Sequence, residues 1–126
     1  MDLDGQGPGI AVMNPAIRFL LEDIVAYGVE ALETVGDLDA EAILADRLRE
    51  HAVLRTVQIV GEAAVQILKK QPEGVADLEL RDAAGFRNVL VHGYAKLRME
   101  RVVAIVHQSL PLLIAGARRV LGEDQT

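Results

Sequence analysis

Apolar residues recur along this chain at spacings of three and four from about residue 15 to residue 121, and strict alternation is missing. That period belongs to helices with one buried face. No alternating β-branched runs are joined by Asn-Gly or Asp-Gly turns, so strand signals are weak. Asn14 is suited to cap a first helix and Pro15 to sit in its first turn. Ile17, Leu20, Leu21, Ile24, Ala31, Leu32 and Val35 then share one face, and Gly36 ends the helix. The run "DLDAEAILADR" predicts a short helix capped by Asp37 or Asp39. The longest helix is expected from about Asp46 to Gln71, with Val53, Val57, Val60, Ala64 and Ile67 buried. A polar stripe of His51, Arg55, Gln58, Glu62, Gln66 and Lys69 runs beside them. Pro72 and Gly74 break it. A third helix is expected over roughly Leu78 to Val91, with Gly93 as punctuation, and a fourth from Leu97 to about Leu121. Pro111 should kink or split that last helix. The sum is an all-α, antiparallel, up-down bundle of four to five helices.

The 126 residues suit one domain. Residues 15–122 are expected to form it, with residues 1–14 as a flexible acidic, glycine-rich leader and 123–126 as a flexible tail. The leader has no basic region of the kind a secretory signal carries. No apolar run approaches 18 residues, so no membrane span is expected. There is no cysteine, which excludes disulfides and thiolate chemistry. A cytoplasmic setting is the expectation that follows. The net charge of −6 argues against wholesale nucleic-acid binding. The charge is uneven, however. Residues 1–46 carry one Arg against ten Asp and Glu, a balance of −9; residues 47–126 carry twelve Lys and Arg against nine acids, a balance of +3. Arg81, Arg87, Lys96, Arg98 and Arg101 face only Asp82 and Glu100 between positions 81 and 101.

That basic excess surrounds "RNVLVHGY", residues 87–94. On one continuous ideal helix, Arg87 falls within roughly 60° of Leu80, Ala83, Ala84 and Val91. An arginine in the middle of an apolar face needs a partner, a wet cleft or a second subunit. Asn88 and His92, four apart, share another face. Arg87 and His92 lie about 140° apart, so they converge only if the helix ends near His92, which Gly93 permits. Taken singly, such an Arg is ordinarily a surface residue and such a His ordinarily a helix cap.

As a whole, the octapeptide resembles the R-x-x-x-x-H-x-Y motif of the HepT-like branch of the HEPN superfamily. Arg87, Asn88, His92 and Tyr94 fall on its Arg, Asn, His and Tyr. "LRTVQIVGEAAVQIL" is similar to the family's preceding helix and "LPLL" to its closing segment, so the resemblance spans roughly residues 47–115. "PEGVADLEL" lacks the second Pro and the Trp of the Pro-x-x-Pro-Trp that members often carry there. The resemblance implies a HEPN-like bundle forming a two-fold dimer in which two motifs share a cleft. It implies a metal-independent endoribonuclease toxin of a type VII-like HepT/MntA pair, working without a cofactor. The implied partners are RNA and a minimal nucleotidyltransferase antitoxin that silences the toxin by nucleotidylation (AMPylation) of Tyr94.

The residue types fit that chemistry. When an RNA 2′-hydroxyl attacks the adjacent phosphate, a proton moves and negative charge grows on the phosphoryl oxygens. His92 is the natural proton carrier and Arg87 a charged fork matched to phosphate. Asn88 is suited to hold the His92 ring or to donate to the phosphate, and Glu62 to orient Arg87. Tyr94 has three readings: a packed residue with its hydroxyl at the rim, a platform for a base, or the acceptor of AMP. His51, His92 and His107 do not form a H-E-x-x-H or paired E-x-x-H pattern, so no metal site is expected. The alternative is a non-catalytic HEPN-like module that binds a nucleotide or a partner protein. A plain dimerisation domain leaves the quartet unexplained.

Overall fold

The computed structural model describes residues 13–70, 80–91 and 93–125, and every regular element among them is a helix. The elements are α1 (Pro15–Val35), α2 (Ala40–Leu44), α3 (Arg47–Lys70), α4 (Leu80–Ala84), α5 (Phe86–Val91), α6 (Ala95–Gln108) and α7 (Leu110–Gln125). The expected all-α bundle is what forms. It has more segments than expected because two helices divide, one at Gly85 and one at Ser109.

The ends of these helices are set by named residues. Asn14 Oδ1 accepts from Ala16 N–H at 2.7 Å, and Pro15 occupies the first turn of α1. Gly36 ends α1 with φ 52° and ψ −130°, its N–H reaching the Leu32 carbonyl at 2.9 Å. Asp39, not Asp37, caps α2 through Ala42 N–H at 2.9 Å. Asp46 caps α3 through Arg49 N–H at 3.2 Å. Pro111 divides the last helix rather than kinking it. Proline at 111 has no N–H to give the preceding turn, so α6 stops at Gln108 and α7 starts afresh at Leu110. Ser109 caps the break, donating to Ile105 at 2.9 Å and accepting from Leu113 at 3.1 Å. The expected leader lies mostly outside the described residues, as does Thr126, and α7 runs into the stretch expected as a tail.

α1 and α3 pack along each other through the faces that the period selects. Ile17, Leu21, Ile24, Ala31 and Val35 are buried against Val53, Val57, Val60, Ala64 and Ile67. They run antiparallel, since Arg49 at the start of α3 donates to the Thr34 carbonyl at the end of α1 at 2.6 Å. α7 closes on α1 at Gly28, where an added Cβ would stand 2.9 Å from Ile114 Cδ1. α6 contributes Met99, Val102 and Val106 to the same core. The buried Thr56 hydroxyl is satisfied within its own helix by the Ala52 carbonyl at 2.9 Å. No helix among the described residues is long and apolar enough to cross a membrane.

Gly36 is held from two sides. Its positive φ suits glycine, and its carbonyl accepts from His107 Nε2 of α6 at 3.0 Å. Gly36→Ala is therefore expected to cost about 1–3 kcal/mol, the usual penalty for a side chain in such a conformation. Urea denaturation, with circular dichroism to confirm unchanged helix content, measures it.

Candidate active site

The motif segment departs from the ideal helix in one turn, and that turn decides where Arg87 points. Gly85 N–H is shared between the carbonyls of Arg81 (3.2 Å) and Asp82 (3.0 Å), and Asn88 N–H reaches Gly85 at 3.1 Å. These are the tight bonds of a three-residue turn. The buried positions accordingly step by three, from Leu80 to Ala83 to Phe86. Phe86, not Arg87, faces the core. The expectation of Arg87 in the middle of an apolar face is thus corrected: Arg87 and Asn88 are both exposed.

Arg87 is nonetheless anchored by its stem. Gly61 of α3 lies beneath it: a Cβ added there would stand 3.3 Å from Arg87 Cγ, 3.2 Å from the Ala83 carbonyl oxygen and 3.5 Å from Phe86 Cβ. The missing side chain lets α4 and α5 settle on α3, with the guanidinium carried out over the helix. It makes no hydrogen bond or ion pair with any described residue.

Two open clefts meet at Arg87 and Glu62. The first, of about 630 Å³, runs between α3 (Leu54, Gln58, Glu62) and α5 (Arg87, Asn88, Leu90, Val91). The second, of about 420 Å³, lies between α1 and α3, where Leu20 and Asp23 face Gln66 and Lys69. Glu62 is exposed and is bonded by Gln58, whose Nε2 donates to Oε2 at 3.4 Å. Arg55 Nη1 in turn donates to Gln58 Oε1 at 3.2 Å. These residues were legible as a polar stripe, but no role for Gln58 or Arg55 followed from spacing alone.

The chain then turns. α5 ends at Val91, as convergence of the motif requires, and Gly93 has φ 87°. His92 lies outside the described residues. Tyr94 stands at the N-cap of α6 and is 83% exposed, which removes the packed-core reading of this residue within the protomer. Arg98 Nη1 reaches back to the Leu90 carbonyl at 3.4 Å, satisfying an otherwise open acceptor near the end of α5. Arg98 carried no motif signal, and only the turn geometry reveals it. Among the described residues no group of three or more His, Cys, Asp or Glu is placed to share a metal ion.

The family model for HepT-like ribonucleases matches residues 25–120, a span that includes both clefts except Leu20 and Asp23 at the open end of the second. The chain belongs to the HepT-like ribonuclease family. Three relatives with provisional RNase names are similar to this HepT-like chain. RNase MJ0125 of Methanocaldococcus jannaschii is 30% identical over 62% of this chain and 67% of its own length. RNase MJ1380 of the same organism is 25% identical over 75% of this chain and 87% of its own. RNase TTE0752 of Caldanaerobacter subterraneus is 23% identical over 86% and 96%. No solved structure matches the chain with significance.

Asp23, which lines the second cleft, has a displaced titration. Partial burial, and after it the charge of Glu22, raise its carboxyl above the ordinary value. A raised folded-state pKa in an acid means that ionisation costs stability. The cost is fully present above the folded pKa and vanishes below the unfolded one. Asp23→Asn is expected to be more stable than the parent at neutral pH, the difference fading as pH falls through the carboxylate range. Thermal melts of both proteins across pH 3 to 7 (roughly the range in which carboxylates titrate) measure this.

Proposed function

We propose that this protein is a metal-independent endoribonuclease in which Arg87 and His92 cleave RNA, acting as the toxin of a toxin–antitoxin pair. The observation that carries the reading is an arginine fork without a partner among the described residues, at the junction of two clefts, in a HepT-like chain. An RNA phosphate supplies the missing partner. In the reaction, the 2′-oxygen loses its proton and bonds to phosphorus, the bond to the 5′-oxygen breaks, and that oxygen gains a proton. The products are a cyclic phosphate and a 5′-hydroxyl. His92 moves the proton and Arg87 balances the charge growing on the phosphoryl oxygens. Asn88, beside Arg87, holds the imidazole or adds a donor, and Glu62 supports the same wall of the cleft.

The protein works as a two-fold dimer in this reading. Val91 (69% exposed) and Leu97 (51% exposed) flank Tyr94 at the turn between α5 and α6, and a second copy would cover them beside the site. The exposure of Tyr94 also suits it to accept AMP from a nucleotidyltransferase antitoxin. An added phosphodiester two residues from His92 would compete for the place of the RNA phosphate.

His92→Ala is expected to abolish RNA cleavage, a loss of about 10²–10⁴-fold or more, with helix content unchanged. Arg87→Ala should lose nearly as much, and Arg87→Lys should recover little, since it offers a point charge without the fork. Cleavage of labelled RNA by the purified variants measures this, and activity should survive EDTA. Loss of cleavage in EDTA contradicts the metal-free mechanism.

Tyr94→Phe is expected to remain an active nuclease and to escape its antitoxin, because the acceptor oxygen is gone while the proton carrier stays. Co-expression with the nucleotidyltransferase, recording growth and intact mass, measures both. A silenced variant that carries nucleotide at another residue contradicts the assignment, as does an unmodified variant with no cleavage.

A further inference from the structure

The first cleft holds a hydrogen-bonding pattern that the cleavage chemistry does not use. Arg55, Gln58 and Glu62 lie along one stripe of α3 and are joined in series, Arg55 Nη1 to Gln58 Oε1 at 3.2 Å and Gln58 Nε2 to Glu62 Oε2 at 3.4 Å. This series settles the amide orientation. An arginine can only donate and an ionised carboxylate can only accept, so the Gln58 oxygen must face Arg55 and its nitrogen must face Glu62. One Gln58 N–H then remains free, next to two carboxylate oxygens with open lone pairs. Read in order, the stripe offers donor, acceptor, acceptor.

We infer that the cleft is a nucleobase subsite selective for guanine, placed so that the attached phosphate reaches Arg87. The Watson–Crick edge of guanine runs acceptor (O6), donor (N1–H), donor (N2–H), the complement of what Gln58 and Glu62 present. Adenine and cytosine set an acceptor nitrogen beside their amino group, and uracil sets its single donor between two carbonyls. Each of these would turn at least one lone pair toward the carboxylate. Leu54 of α3 and Ala84, Leu90 and Val91 across from it give the cleft its apolar lining, beside the polar Arg87 and Asn88. The volume, about 630 Å³, is ample for one nucleotide. Arg87 stands on the same wall as Leu90, one turn away.

The subsite rests on the ribonuclease reading for its purpose but is tested apart from it. Binding of 5′-GMP and 5′-AMP to the full chain is measured by equilibrium titration. GMP is expected to bind roughly tenfold more tightly, in line with one good bidentate base contact in an open site. Glu62→Gln is expected to erase that preference. Arg55→Ala, a residue that touches no base, should reduce it by freeing the amide to turn, and Arg55→Lys, also only a donor, should largely restore it. Equal binding of the two nucleotides by the parent chain overturns the proposal, as does a preference that survives Glu62→Gln. In cleavage assays on RNAs that differ in one base, guanine-containing RNA is expected to show about tenfold higher kcat/KM, with the excess lost in Glu62→Gln. If the parent cleaves no RNA yet prefers GMP, the nuclease reading fails and the subsite stands. If it cleaves all RNAs alike and binds GMP and AMP alike, the subsite fails and the nuclease stands.

Discussion

The close approach of α4 and α5 to α3 at Gly61 is the constraint on which the site depends. Glycine in the interior of a 24-residue helix costs about 1 kcal/mol relative to alanine, so its place there needs a compensating contact. The contact is plain: the Ala83 carbonyl oxygen and the stem of Arg87 come within 3.2 and 3.3 Å of where a Cβ would be, tighter than an ordinary contact, with Phe86 Cβ at 3.5 Å. Phe86 closes the core from this side while Arg87, the next residue, leaves it. Both clefts inherit their shared wall from that arrangement, because Arg87 and Glu62 border each of them.

Most of the bundle was legible in the sequence, and for physical reasons. The buried faces of α1 and α3 follow an uninterrupted helical period, and Asn14, Gly36 and Pro111 are punctuation whose backbone chemistry leaves little choice. The third helix was not legible in the same way. A sum of 100° steps assumes that every turn is an α-turn, and Gly85 introduces one that is not. An error of one residue in phase is enough to exchange Phe86 and Arg87 between core and solvent. The motif singles out Arg87 and Asn88 by type, but their direction comes from a hydrogen bond that no pattern announces. Arg98 is a second case, its bond to Leu90 depending on how α6 folds back on α5.

The charge pattern also acquires a place. α1 lies in the acidic part of the chain and brings Leu20 and Asp23 to a cleft whose other members come from the later, more basic part. Arg87 therefore shares a cleft with a carboxylate on α1 and one on α3, neither of which is joined to it by an ion pair. A guanidinium bordered by carboxylates but not neutralised by them is suited to exchange partners. In the proposed reaction the fork would draw in an RNA phosphate and then release it, with salt and acidic neighbours both weakening the hold.

Gly61→Ala tests the central claim most directly, because it improves helix propensity while adding one methyl group where Arg87 and the Ala83 carbonyl now rest. RNA cleavage by the purified variant is measured beside its circular dichroism and melting curve. The account predicts unchanged helix content with a fall in cleavage of roughly severalfold, since contacts of 3.2 and 3.3 Å oblige the neighbours to give by a fraction of the ~1 Å misplacement that can cost about 10²-fold. Full activity in a folded Gly61→Ala protein would contradict it.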